Sequence, residues 1–198
     1  MNEAELKEKL DKLKPPRKKF YQTYKPLGIT GQRDSEERFR HYRIKEIARP
    51  DFEVLDIGCN YGFLSLYIAE HVKIVHGLEP VEKSYKIGKL VRNYIGEDCV
   101  KVFPKKWVEF KPSIKYDLVL SLAVHKWVGV PFEKYITRVK KMLKPQGYFL
   151  IESHCKIIYD TDWDRKVDLI KSNGFTQLWK GDSSEGGRVR EFVMFRFT

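Results

Sequence analysis

Residues 53–64, EVLDIGCNYGFL, decide the reading of this chain. The apolar residues Val54, Leu55 and Ile57 flank Asp56, and two glycines, Gly58 and Gly62, bracket a tight turn. Beyond the turn Phe63, Leu64, Leu66, Tyr67, Ile68 and Ala69 begin a helix with an apolar face. The pattern is that of a buried strand turning into a helix over a nucleotide-sized ligand. Glycine suits the bend because the chain turns sharply and a ligand lies against bare backbone, where a Cβ would collide. The helix start offers unpaired N–H groups to polar ligand atoms. An ordinary strand–turn–helix of an α/β protein is the bland alternative.

The spacing narrows the choice. A dinucleotide fingerprint reads G-x-G-x-x-G; this turn reads Asp56-x-Gly58-Cys59-Asn60-Tyr61-Gly62. It resembles motif I of the class I S-adenosylmethionine-dependent methyltransferases, D/E-x-G-x-G-x-G, with Asn60 in place of the middle glycine. The Gly-Cys-Asn variant is similar to that of the RNA methylphosphate capping enzymes. The resemblance implies S-adenosylmethionine as cofactor, held by Asp56, Gly58, Cys59, Asn60, Gly62 and Phe63. An acidic edge on the turn favours a sulfonium and an amino group, whereas it would repel a pyrophosphate.

The resemblance also implies the fold. This is a Rossmann-like α/β domain with a mostly parallel seven-stranded sheet in the order 3-2-1-4-5-7-6, an antiparallel edge hairpin, and helices on both faces. Residues 73–79, KIVHGLE, read as the second strand and end in Glu79, 23 positions after Asp56. An acid at that strand tip takes both ribose hydroxyls in a bidentate hydrogen bond, and Pro80 then turns the chain. Residues 82–95 read as a helix and 99–103 as the third strand. After it the family often places an acid or amide for the adenine; here stands Pro104-Lys105-Lys106-Trp107, with Trp107 read as core packing or as a surface for the adenine. Residues 116–122 form the fourth strand, helix 131–143 follows, and Leu143-Lys144-Pro145-Gln146-Gly147 turns into the fifth strand, YFLIES. A helix over about 160–172 precedes a closing pair of alternating strands.

The fourth strand ends in Ser121-Leu122-Ala123-Val124-His125-Lys126-Trp127, and ligands in such sheets bind beyond the carboxyl ends of strands. Ser121 and Leu122 are therefore candidate cofactor contacts, and Asp117, at the strand's start, is structural. A base-amine methyltransferase would carry an Asn/Asp/Ser-Pro-Pro-aromatic box here, and it is absent. The segment loosely resembles the Ser-Leu-x-Lys-Trp-Val run of the capping enzymes. His125 is the candidate general base, since its unperturbed pKa is near neutral. Lys126 is the candidate cation for an anionic acceptor, and Glu152 and His154 are second choices. A lone histidine at a sheet end is as often a packing residue. No spaced set of His, Asp and Glu suggests a metal.

Composition bounds the rest. The 198 residues amount to about one domain, and 42% hydrophobic with 14% aromatic content excludes wholesale disorder. No apolar run approaches a membrane span and no signal peptide is visible. Cys59, Cys99 and Cys155 are odd in number and far apart, which suggests reduced thiols in a cytoplasmic protein. The net charge of +11 implies an anionic partner. The charge is unevenly spread, and a basic N-terminal helix and arm, residues 1–32, is expected ahead of the domain at 33–198. From Lys12 to Arg33 stand Lys14, Arg17, Lys18, Lys19 and Lys25 with no acid, interleaved with Phe20, Tyr21 and Tyr24.

Cations for phosphates and rings for bases make this arm a candidate RNA surface. The alternative is an arm whose aromatics pack on the domain. A short helix over 2–14 stops before Pro15-Pro16. Asp34 with Glu37 opens another, expected to reach Ala48. The resemblance implies that this second helix covers the cofactor, which would let Arg33, Gln32 or Arg38 reach its carboxylate. Three functions fit: a methyltransferase acting on oxygen or nitrogen of RNA or another anionic substrate, a small-molecule methyltransferase with the arm as lid, and a non-catalytic methyltransferase-like binding subunit. A dehydrogenase is disfavoured by the glycine spacing.

Overall fold

The alternation of short apolar runs with amphipathic stretches folds as expected for a parallel α/β sheet. The computed structural model describes residues 1–14, 19–184 and 186–198. Arg17 and Lys18 of the basic arm, the Pro15-Pro16 helix stop and Glu185 in the closing turn lie outside the described residues.

The N-terminal region contains two short strands, β1 (Phe20–Thr23) and β2 (Gly31–Asp34). The main sheet follows: β3 (Glu53–Ile57), β4 (Ile74–Leu78), β5 (Val100–Phe103), β6 (Tyr116–Leu122), β7 (Leu143–Glu152), β8 (Phe175–Asp182) and β9 (Glu191–Phe197). Its strand order is β5-β4-β3-β6-β7-β9-β8. Counted from β3, this is the expected 3-2-1-4-5-7-6. The pairs β3–β6, β4–β5 and β6–β7 are parallel, and β7–β9 and β8–β9 antiparallel. The chain divides into two compact units, Met1–Phe52 with Gly58–Lys105, and Glu53–Ile57 with Lys106–Thr198.

In the first unit, helix α1 (Glu3–Leu13) is opened by a capping box between Asn2 and Glu5 and buries Leu6 and Leu10. It packs on α4 (Glu82–Ile95), with the Lys83 ammonium donating to the Lys14 carbonyl at 3.1 Å. Residues 20–33, read as part of the basic arm, instead enter a parallel ladder with Phe20 opposite Gly31 and Gln22 opposite Arg33. The expected boundary at 32/33 falls inside β2. Helix α2 (Ser35–His41) starts where Asp34 accepts the amides of Glu36 and Glu37, both at 3.0 Å. It ends well before Ala48, because Arg43 adopts φ 58° and the chain continues as a 3-10 turn over Ile44–Glu46. Every residue of α3 (Phe63–Ala69) is buried, and Tyr24 packs on it against Phe63 and Tyr67.

In the second unit, α5 (Phe132–Met142) and α6 (Trp163–Ser172) pack on each other, α5 also on β7 and α6 on β8. The Lys144 ammonium pairs with Asp117 at 2.8 Å and Glu53 at 3.2 Å, and Asp117 accepts the Glu53 amide at 2.8 Å. Asp117 thus ties strand starts together, the structural role read for it. The turn expected at 143–147 is absorbed into β7, whose pairing with β6 slips between Tyr116 and Leu118 while Gln146 takes φ 64°. The closing strands were expected to alternate. β8 does, but Phe192–Phe195 of β9 are all buried, because β9 lies between β7 and β8 and both its faces are covered.

Candidate active site

The turn after β3 is built as its glycines require. Gly58, Asn60 and Gly62 have φ of 71°, 56° and 74°, all left-handed. Asn60 occupies that region as a non-glycine residue with a short polar side chain, one of the few types that tolerate it. Gly62 is the N-cap of α3. The Cys59 amide donates to the Leu78 carbonyl at 3.0 Å, which joins the turn to the end of β4.

Glu79 follows β4, and its carboxylate accepts the Asn60 amide at 2.9 Å and the Val81 amide at 2.8 Å, one on each oxygen. The side chain is buried, while Pro80 and Val81 beside it are exposed. The Asn60 Oδ1 is buried and has no hydrogen-bond partner. A buried acceptor without a donor, next to a buried carboxylate, fits an adenosyl ligand whose hydroxyls and amino group are donors.

The residue that fastens this turn is one that the sequence pattern did not single out. Gln22 of β1 is buried; its Nε2 donates to the Cys59 carbonyl at 3.2 Å and its Oε1 accepts the Phe63 amide at 3.1 Å. The Tyr21 amide donates to the Tyr61 hydroxyl at 3.3 Å, and the Phe20 ring meets that of Tyr61 edge-on at 6.0 Å. The element lying on the turn is therefore β1 rather than a helix. The Phe63 amide, expected to be offered to a ligand, is taken by Gln22. Arg33 is buried beside Gln22 in the ladder, whereas Gln32 is exposed. Phe20 and Tyr24 are buried, so their rings are packing and not a base-stacking surface. Gly88 in α4 was also missed: a Cβ there would lie 2.1 Å from the Tyr61 carbonyl, so α4 approaches the turn only through glycine.

The second unit holds the other candidates. Ser121 is wholly buried and its hydroxyl accepts from the Tyr135 phenol at 2.9 Å, so its side chain is engaged in the packing under β6. Leu122 is half-buried, and Asp56 at the end of β3 is buried. Trp107 is buried, edge-on to Tyr135 at 5.2 Å with the Arg138 guanidinium 4.7 Å over its ring, and is core packing. Ala123, immediately after β6, has φ 53°, held by its amide donating to the Glu152 carbonyl at 3.1 Å. A non-glycine residue in that region costs on the order of 1–2 kcal/mol, and such strain collects at functional sites.

His125 stands two residues further on, with its Nε2 3.0 Å from Asp160 Oδ1. Its Nδ1 is buried and without a partner, as is His154 Nε2, and the two rings lie 4.9 Å apart. Asp160 also receives the Lys166 ammonium at 2.6 Å and the His154 amide at 2.5 Å. Burial alone would raise the Asp160 pKa, but the hydrogen bonds and charges of His125 and Lys166 outweigh it and hold the carboxyl well below its ordinary range. Burial, reinforced by neighbouring His125, pushes His154 down to about 4, so its ring is neutral at pH 7. Facing a carboxylate, the His125 Nε2 is the nitrogen that donates to Asp160, and Nδ1 is the one left without a hydrogen-bond partner. The ring is enclosed by Phe132, His154 and Trp163, so an acceptor meets Nδ1 only when neighbouring side chains move. Lys126 is exposed, and its ammonium donates to the Tyr159 carbonyl. Glu152 is buried with Arg190 at 3.6 Å. Asp160 and Lys166 had one sequence signal: Asp160 is the first acid after a run of seven residues that contains none.

The methyltransferase domain family matches residues 4–190. Over 117 residues the chain is 26% identical to the tRNA1(Val) (adenine(37)-N6)-methyltransferase of Dyadobacter fermentans, covering 50% of this chain and 49% of that protein. The chain thus spans about half the length of that relative. The N-methyltransferase NodS from Bradyrhizobium japonicum WM9, solved with S-adenosyl-L-homocysteine, superposes with a TM-score of 0.68 at 14% identity, over 82% of this chain and 86% of that one. The magnesium protoporphyrin IX methyltransferase of Synechocystis PCC 6803, solved with bound SAM, gives 0.64 at 16%, over 83% and 78%. At these identities the likeness is one of fold. The family match runs along nearly the whole chain and the strand order agrees with it: the chain belongs to the methyltransferase domain family, with the fold of the class I S-adenosylmethionine-dependent methyltransferases.

Proposed function

We propose that the enzyme moves a methyl group from S-adenosylmethionine to an oxygen or nitrogen of an RNA. The observation that carries the substrate class is the match to a tRNA-modifying relative over half the chain, supported by the net charge of +11. The turn Gly58–Gly62 would hold the cofactor against its backbone, with Asn60 Oδ1 and the Glu79 carboxylate accepting from its donors. When bound, the sulfonium supplies an activated methyl and a neutral leaving group. The chain's own work is then to position the acceptor, exclude water and receive a proton.

His125 is the residue proposed for the proton. Its bare Nδ1 takes it as the acceptor attacks, and the Asp160 carboxylate on Nε2 stabilises the resulting imidazolium. Lys126 and the cations of the arm offer charge for phosphates, with Lys25 already paired to Asp34 at 2.9 Å and Glu36 at 3.1 Å. The segment Ser121–Val124 lacks the Pro-Pro box of base-amine enzymes, which favours an acceptor whose proton must be removed, such as a hydroxyl. A cytoplasmic location accords with three free cysteines and with the absence, among the described residues, of a helix long and apolar enough to cross a membrane.

One observation favours the second reading, a small-molecule enzyme with the arm as a cover: Gln22 and Tyr21 of β1 are bonded to the turn itself. A tritiated-methyl assay on total RNA and on a metabolite fraction separates the two. Label in RNA supports the first reading; label only in small molecules establishes the second.

A further inference from the structure

The second unit exposes four large apolar side chains on two turns. Trp127, after β6, is 76% exposed, and Ile157, Ile158 and Tyr159, after β7, are 69%, 66% and 53% exposed. The two strands pair to their ends, Leu122 opposite Glu152, so both turns leave the same end of the sheet. Lys126 binds them together: its ammonium donates to the Tyr159 carbonyl and lies 5.5 Å over the Tyr159 ring. The Trp127 indole meets the His154 ring edge-on at 6.0 Å. Exposed apolar side chains gathered in this way mark a surface that binds something. Neither segment 121–132 nor 153–159 contains a carboxylate, while they carry Lys126 and Lys156. Lys156 rests on Glu191 at 3.6 Å.

Resting on the RNA reading above, we propose that this surface receives an unstacked, single-stranded stretch of the substrate beside the acceptor nucleotide. Three features match that occupant. Rings accept bases of any identity by stacking, and Trp127 presents its indole to solvent. Aliphatic side chains such as Ile157 and Ile158 act as wedges that fill the gap left when a base leaves its stack. Lys126, which pairs with a carbonyl and not with a carboxylate among the described residues, suits a phosphate between those bases, whereas Lys156 is already shared with Glu191 and Asp164. The position agrees, since ligands in this sheet type bind beyond the carboxyl ends of the strands.

Trp127 is the one strongly exposed tryptophan, Trp107 and Trp163 being buried and Trp179 half-buried, so indole fluorescence reports on it. The full chain is titrated with a short single-stranded oligoribonucleotide, with the same sequence as a duplex, and with phosphatidylserine vesicles. Single-strand RNA should quench the emission, more weakly as salt rises, and the duplex should not. Trp127→Ala, and separately the double variant Ile157→Ser with Ile158→Ser, should melt as wild type and, read by filter binding of labelled RNA, hold the single strand roughly fivefold or more weakly. Wild-type RNA affinity in Trp127→Ala overturns the proposal. So does a response to vesicles but not RNA, or a concentration-dependent dimer abolished by the isoleucine variant. Its fate is separable from that of the RNA reading. RNA bound through Trp127 but never methylated leaves the surface standing and removes the substrate. RNA methylated with unchanged KM by Trp127→Ala does the reverse.

Discussion

Replacing Gln22 by methionine deletes two hydrogen bonds at nearly constant volume. The Cys59 carbonyl and the Phe63 amide, bonded at 3.2 and 3.1 Å in the wild type, both lose their side-chain partner. The Phe63 amide, left buried without an acceptor, costs about 1–3 kcal/mol, while the Cys59 carbonyl keeps the Gly62 amide at 2.9 Å and loses one hydrogen bond worth about 0.5–1.5 kcal/mol, so the change should cost roughly 1.5–4.5 kcal/mol. For a chain of this size each kcal/mol lowers Tm by about 2–4 °C, which places the expected fall at roughly 3–18 °C. The same loss frees the turn that holds the cofactor, so affinity for S-adenosylhomocysteine should drop about tenfold, equivalent to about 1.4 kcal/mol. Thermal melts with and without S-adenosylhomocysteine, together with calorimetric titration, read both quantities. An unchanged Tm and an unchanged Kd would refute the reasoning and return β1 to the status of a passive arm.

Gly88→Ala would drive a Cβ to within 2.1 Å of the Tyr61 carbonyl, a backbone atom. It should destabilise by more than the ordinary Gly-to-Ala helix gain of about 1 kcal/mol and weaken cofactor binding, as melts and titration will show. Acid should unfold the second unit early. The His154 pKa falls from 6.5 in the unfolded chain to about 4 in the fold, worth roughly 3 kcal/mol. That stability is complete above pH 6.5 and drains away as the pH falls towards 4. The depressed Asp160 carboxyl adds to the loss below its unfolded value of 3.8. Denaturant titrations of wild type and His154→Gln across pH 4–7 check this, the variant showing the shallower slope. Asp160→Asn, which removes the carboxylate that faces His125 Nε2, should lower kcat with little change in the KM for cofactor, as steady-state kinetics will read.

Periodicity made the main sheet legible. β6, α4 and the strand–turn–helix at 53–69 carry strong apolar periods and glycine punctuation, and their strand order follows from the family they resemble. The arm was harder, because Phe20-Tyr21-Gln22-Thr23-Tyr24 is too short for its period of two to stand out from the cations around it. Its strand exists through pairing with β2 and burial on α3, which are tertiary facts. α2 read too long, since nothing local marks Arg43 as a left-handed residue. Among the candidate site residues, Asp56, Asn60 and Glu79 could be singled out from offsets along the chain. Gln22 and Asp160 were not, because they lie 41 residues from Phe63 and 35 from His125 respectively. That the Ser121 hydroxyl is held by Tyr135 was not legible either, because β6 alone does not reveal that Tyr135 lies beneath it.

Calorimetry of S-adenosylhomocysteine against wild type and Glu79→Ala tests most directly whether the bend after β3 and the acid after β4 hold the methyl donor. Saturable binding to wild type, weakened about tenfold or more by the substitution and with no heat from NAD, is the expected result. Equal affinity in the two proteins, or binding of NAD in preference, would contradict it.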